Sequence, residues 1–265
     1  MRHKVLLGLL VIGVGFGAFA RHLDLEYRSL IASTSKGEPL FSADLLADYS
    51  AQVLAHLQDA NVELAIISRA GQPRARLPDG IQYTHSAFWL RNGDSYDVYN
   101  LYHGEDNRRI SSLVTDKAVD FLRTARAHDV GVLIPKPAVQ SKLAAHIKSV
   151  NYPRVHQVNY SMISNPFDTR YQNCNEFMLD VLAAFAWDEY DAKTLKTRLK
   201  SVLEPTEIKA SFVRRHIAPI VDERLVMKDQ GKKIMTVTRL DLQEFLESQD
   251  MLAKAYVLDL VRAGE

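Results

Sequence analysis

From residue 171 the chain reads Tyr171-Gln172-Asn173-Cys174-Asn175-Glu176-Phe177, with Met178, Val181, Leu182 and Phe185 following at helical spacing. This stretch predicts a helix whose first turn carries the only cysteine in the sequence. Asn173 suits the N-cap, and Glu176, three residues on, suits a carboxylate that reaches back to the cap. Cys174 falls on the apolar face of the helix, one turn ahead of the aliphatic run. There the unpaired N–H groups and the macrodipole favour a thiolate, as a cysteine nucleophile requires. A lone cysteine is otherwise a small buried hydrophobe.

The second informative stretch is Gln82 to Tyr102, where Asn92-Gly93 divides two alternating runs and predicts a tight hairpin. With Asn92-Gly93 as the loop, Arg91 opposes Asp94, and the position numbers of opposed residues sum to 185. His85 then lies across from Asn100, on one face with Tyr83, Ala87, Val98 and Tyr102. Opposed side chains stand about 4.5–5.5 Å apart at Cβ, close enough for the amide to orient the imidazole. A histidine held by an amide and facing a cysteine at a helix N-terminus makes a Cys-His-Asn constellation of the papain type. A register slip of one residue would bring His103, Asp97 or Tyr99 to that face instead.

Working outward, Ser42 caps a helix expected over 43–57, and Val62–Ile67 reads as a buried strand. The Gly-, Pro- and Arg-rich segment 70–80 is a loop. A helix is expected over 116–127, a strand over 130–134, and a helix from Pro137 to about Val150. After Trp187 the sequence predicts helices near 192–202 and 206–220, a strand near 234–238 and a short helix over 240–247.

Arg2, His3 and Lys4 precede an uncharged run from Val5 to Ala20, closed by Ala18-Phe19-Ala20 and then Arg21. This is the pattern of a secretory signal peptide cut after Ala20. The sixteen residues of that run would span about 24 Å as a helix, short of the ~30 Å hydrocarbon core. A retained inner-membrane anchor over residues 5–20 is the alternative, and either way the remainder is exported, in a bacterium to the periplasm. Gly13-Val14-Gly15-Phe16-Gly17-Ala18 imitates a dinucleotide fingerprint, but no short strand precedes it and no second strand with an acidic end follows. The expected organisation is therefore residues 1–20 as leader, 21–40 as linker, 41–188 as an α+β domain and 189–265 as an α-rich extension.

The formal net charge is +1, with both signs interspersed, so nucleic acid is not an expected partner. The nine histidines are scattered and one cysteine cannot make a metal framework, so neither a metal nor another cofactor is expected. An exported lone thiol has no disulfide partner within the chain, so it is buried, paired between chains or kept for its reactivity.

The order His…Asn…Cys, with the cysteine last on an Asn-Cys-x-x-Phe helix, resembles the circularly permuted branch of the NlpC-type papain-fold superfamily. That branch includes the lecithin retinol acyltransferase-like proteins. The stretch Ser161–Leu182, together with Thr84-His85-Ser86-Ala87-Phe88 and Val132-Leu133-Ile134-Pro135, more closely resembles an exported bacterial family known only as a domain of unknown function. The resemblance covers roughly Asn61 to the C-terminus. It implies an α+β, permuted papain-like fold: a small antiparallel sheet packed on the helix that bears the nucleophile, with a C-terminal helical extension. It also implies Cys174 as nucleophile, His85 as base and Asn100 as orienter. Two positions depart from the pattern. Ala87 stands where the permuted enzymes usually have glycine, and Glu176-Phe177 replaces the Glu-His-Phe of the acyltransferases, so lipid chemistry is not implied.

The chemistry expected from these residues is acyl transfer through a thioester. His85 takes the thiol proton, the Cys174 thiolate attacks an amide or ester, and water or another acceptor resolves the intermediate. The Cys174 N–H would supply one oxyanion donor, and Gln172 or Tyr171 is the nearest candidate for the second. A peptide or acyl group of the cell envelope is the expected substrate, with membrane contact only through an uncleaved N-terminus. Two other classes compete with this thiol hydrolase or acyltransferase. One is a papain-fold binding module without turnover, with Tyr83, Trp89, Tyr96 and Tyr102 lining a recognition surface. The other is an accessory module of the envelope, using Arg123, Arg126, Lys136 and Lys142 toward a partner.

Overall fold

A computed structural model describes residues 38–261. The leader expected over 1–20, its cut after Ala20 and most of the linker lie outside those residues. Among the described residues no helix is long and apolar enough to cross a membrane.

The chain enters helix α1, Ala43–Asp59, where the Ser42 hydroxyl accepts from the Leu45 N–H at 3.3 Å as its capping role requires. Six strands then build one sheet: β1 Leu64–Arg69, β2 His85–Asn92, β3 Ser95–His103, β4 Ser111–Lys117, β5 Asp129–Pro135 and, from the far end of the chain, β8 Leu252–Asp259. Their order is β4-β3-β2-β1-β5-β8, and every neighbouring pair is antiparallel. β1 sits inside the sheet and is buried along its whole length, which is why its sequence is apolar on both faces.

Strand alternation divides the core in two. Leu64, Ile66, Phe88, Leu90, Leu101 and Leu133 face one layer, shared with Cys174, Phe177, Leu179 and Leu182. Ala65, Ile67, Ala87, Trp89, Val98 and Val132 face the other, shared with Leu46, Tyr49, Val53 and Phe121. The first layer holds helices α3 (Pro137–Ile147), α4 (Cys174–Trp187), α5 (Ala192–Leu199) and α7 (Arg239–Ser248); the second holds α1 and the short α2 (Ala118–Leu122). The molecule is mixed α+β, with the sheet as the middle of three layers.

Several elements differ from expectation. The hairpin loop is Gly93-Asp94, with Asn92 paired to Ser95, so opposed positions sum to 187. Gly93 has φ +60°, the geometry of a turn that needs a positive φ only at its first central residue. Asn92 stays in the strand, its amide donating to Asp97 at 2.8 Å. The partner shift is by two residues, so the faces of both strands survive it. Residues 111–117, not expected as a strand, form the edge strand β4, and the helix expected over 116–127 shrinks to α2. The helix expected over 206–220 is split: Thr206–Ile208 is β6, paired with β7 (Ile234–Thr236) in a two-stranded ribbon, and α6 spans Phe212–Val221. The segment after Trp187, expected to be α-rich with a strand near 234–238, also supplies β8, which completes the main sheet against β5. Leu195, Leu199, Leu242 and Phe245 from this segment join the same buried cluster as Cys174.

Candidate functional site

Cys174 opens α4, as its sequence predicts. Asn173 Oδ1 accepts from the Glu176 N–H at 2.9 Å, while its amide ties the cap to the Met162 carbonyl and Thr236 Oγ1. Glu176 does not reach back to the cap. Its carboxylate turns into the protein and meets Lys196 Nζ at 2.6 Å. Cys174 is 2% exposed, and its thiol donates to the Thr84 carbonyl at 3.7 Å.

His85 opens β2 and is fully buried. Its Nε2 meets Asn100 Oδ1 at 3.1 Å, so the expected His85–Asn100 contact forms. In the corrected register Asn100 reaches it diagonally, while the Tyr102 ring stacks on the imidazole at 5.0 Å. A carbonyl oxygen can only accept, so Nε2 carries the proton and Nδ1 is left with a bare lone pair. Nδ1 is buried and makes no hydrogen bond. Asn100 donates in turn to the Val98 carbonyl and to Asp116, which also accepts from the Tyr102 hydroxyl at 2.7 Å. Burial pushes His85 well below the ordinary imidazole range, and the Arg69 guanidinium adds to the shift. Arg69 pairs with His85 across β1 and β2 and lies over the Phe121 ring at 5.2 Å.

The structure does not bring the imidazole to the thiol. His85 shares its strand face with Ala87 and Trp89, and its ring contacts Phe121 of α2 at 5.5 Å. Cys174 belongs to the cluster on the other face, with Phe88 and Leu90. The Thr84–His85 backbone runs between them, and strand alternation fixes the two side chains on opposite layers. The histidine on the thiol's layer is His103, which follows Leu101 in alternation and packs on Tyr160 at 5.5 Å. His103 keeps its expected place on the strand face opposite His85, and it is the thiol-bearing helix that packs on the other side of the sheet from the one expected. His103 Nδ1 donates to the Gly104 carbonyl at 2.8 Å, and its Nε2 lone pair faces Arg224 at 3.2 Å. Burial lowers it to about 4.

The oxyanion candidates divide. Gln172 is buried, with Nε2 donating to the Val155 carbonyl and to Asp180, and Oε1 accepting from the Gln157 N–H at 2.9 Å. Both amide hydrogens are thereby committed to the scaffold. Tyr171 is half-buried at the surface. Tyr83, Trp89, Tyr96 and Tyr102 are all at most 4% exposed, so they pack the core and do not line a recognition surface. Lys136 pairs with Asp250 at 2.6 Å, and Arg126 donates to the Glu38 carbonyl.

Sequence reading missed a buried ionic group in the same helix. Glu176 and Asp180 lie one turn apart on α4, and both bind Lys196 of α5. The available signal was the i, i+4 carboxylate pair inside an otherwise apolar helix, a position that demands a partner. Among the described residues no cluster of histidine, cysteine and carboxylate side chains could hold a metal ion.

Residues 56–246 match the family described as "Uncharacterized protein conserved in bacteria (DUF2145)". The chain belongs to this family. The matched span runs from within α1 to within α7 and includes His85, Asn100, Cys174 and the Glu176–Lys196 group. No curated protein and no solved structure matches the chain.

Proposed function

We propose that this domain works as a binding or accessory module of the bacterial cell envelope and not by turnover at Cys174. The observation that carries this reading is the placement of thiol and imidazole on opposite layers of the sheet. A thiolate formed by proton transfer needs its base within hydrogen-bond reach or one water away. Cys174 and His85 then serve the interior, as a small packing residue and as the centre of a polar network. An opening suited to a partner lies elsewhere. A cleft of about 330 Å³ sits between the β6–β7 ribbon and the start of α6, lined by Lys209, Arg215, Lys232 and Lys233, with Glu207 the acidic residue of the set. Glu207 is paired with Lys233 at 2.7 Å, so the cleft keeps a positive excess and suits an anionic partner group. Export rests on the pattern of residues 2–20.

A second reading has one observation in its favour. His85 bonds Asn100 through Nε2 and keeps Nδ1 bare and buried, the tautomer a general base needs. In that reading the protein is a permuted papain-like thiol hydrolase or acyltransferase, and the Thr84–His85 segment must rearrange before Cys174 can be deprotonated. Iodoacetamide alkylation of wild type and His85→Ala between about pH 5 and 9, which brackets both titrations, separates the two. The binding-module reading expects Cys174 to react slowly and equally in both proteins. Fast alkylation well below the ordinary thiol pKa of about 8.5, lost in His85→Ala with the fold intact by circular dichroism, replaces it with the thiol enzyme.

A further inference from the structure

Glu176, Asp180 and Lys196 form a buried ionic site that the proposed function does not use. All three are buried, at 7% side-chain exposure or less. Lys196 Nζ lies 2.6 Å from Glu176 Oε1 and 2.7 and 2.6 Å from the two oxygens of Asp180. Asp180 also accepts from Gln172 at 2.7 Å. Two carboxylates therefore share one ammonium, and the donors are divided unequally between them. Asp180 has contacts on both oxygens, whereas Glu176 Oε2 is buried without a hydrogen-bond partner. Ser164 Oγ, also buried, lies close enough to hydrogen-bond that carboxyl, and as a donor it would favour the ionised form.

We propose that Glu176 is protonated in the folded protein at neutral pH, donates that proton to Ser164 Oγ, and acts as a pH-sensitive latch between α5 and α4. A proton on Glu176 leaves one carboxylate facing one ammonium, and Ser164 Oγ, which can accept as well as donate, takes the proton's hydrogen bond. Ionised, the group would hold an uncompensated negative charge away from water, a costly arrangement. Burial pushes Glu176 up to about 8, with Asp180 adding to the rise and Lys196 and the Ser164 hydrogen bond opposing it. Burial also raises Asp180. For Lys196 the two carboxylates outweigh the downward pull of burial and raise it. Asp168, on the turn before the helix, acts on Lys196 but is clamped by Arg170 at 2.7 Å. The β7–α7 side meets the first turn of α4 through neutral groups, Thr236 and the Val237 carbonyl. From the 152–156 turn the half-buried His156 packs on Phe177, its imidazole lowered by burial.

The direction of the pH effect follows from the raised carboxyl. A group whose folded pKa lies above its unfolded value contributes stability at low pH and loses it as pH rises through the folded value. The loss therefore accumulates as pH rises from the ordinary carboxyl range to about pH 8 and levels off above it, with α5 expected to loosen from the helix that carries Cys174. Melting temperatures of the full chain from about pH 6 to 9.5 test this on wild type and Glu176→Gln. Wild type should lose roughly 3–5 °C more than Glu176→Gln between pH 7 and 9.5. The amide keeps a donor for Ser164 and an acceptor for Lys196 but cannot titrate. Parallel curves for the two proteins overturn the proposal. Infrared spectroscopy of the wild type gives a readout that needs no variant. A protonated buried carboxyl band should be present at pH 7 and titrate away above about pH 8, and its absence at pH 7 overturns the proposal as well.

Discussion

At the scale of single residues, His85 is a neutral imidazole paid for by burial, and this has a consequence in acid. Its folded pKa lies well below the ordinary value of 6.5, whereas the unfolded chain takes up a proton from about pH 6.5 downward. The unfolded state then binds more protons, so stability is present above that range and is lost as pH falls. His103, lowered to about 4, works in the same direction. Urea unfolding at pH 7.5, 6 and 5 should give a steeper acid loss in wild type than in His85→Leu, by about 1 kcal/mol per pH unit below 6.5. The variant will start from a lower baseline, because Asn100 loses a partner. Identical slopes would mean that His85 does not stay neutral in the folded state. The residue scale also marks a limit of sequence reading. Asn100 was legible as the partner of His85 because both candidate registers keep the two on one face. The Ser68–Ser86 hydroxyl pair at 2.7 Å, on the layer of Cys174, was not, since serines carry no pattern of their own.

At the scale of elements, the ones legible in the sequence bury a continuous apolar stripe or carry a strong cap. α1, β1, α3 and α4 are of this kind, and each begins within about two residues of its expected start. Within the main sheet, the strands that escaped are the two at its edges. β4 and β8 are half exposed along their length, so their residues answer to one neighbour and to water, and their alternation is weak. β8 nevertheless secures a large part of the molecule. It pairs with β5 from Asp129 to Pro135, and the Tyr256 carbonyl accepts from Arg239, a side chain that crosses the sheet over Gly131. A Cβ at Gly131 would stand 2.4 Å from Arg239 Nε, so glycine is what lets that crossing fit. Ending the chain after Asp250 should lower the melting temperature and produce concentration-dependent aggregation through the freed edge of β5. Light scattering and calorimetry check both effects. A truncated chain that stays monomeric and melts like wild type would show that β8 is dispensable to the fold.

At the scale of the whole molecule, export is an inference from residues 2–20, and the protein made in cells tests it directly. N-terminal sequencing should begin at Arg21, and a reporter fused after Glu265 should be active outside the cytoplasm. An intact Met1 with an external reporter favours the anchored form, and a cytoplasmic reporter rejects export altogether. What the sequence by itself determined is local. The Ser42 and Asn173 caps, the helix that begins at Cys174, the buried strand β1 and the common face of His85 and Asn100 all follow from side chains within a few residues of one another or from strand alternation. Only the tertiary structure decided which layer covers each face of the sheet. Periodicity places His85 on one face of β2 and Cys174 on the inner face of a helix, but it does not say on which side of the sheet that helix packs. Here α4 lies against Phe88 and Leu90, while α1 and α2 cover His85. That one choice of side separates thiol from imidazole. It arises because alternation is a local property of the strand, whereas the packing of a helix on a sheet is settled by apolar surfaces gathered from distant parts of the chain.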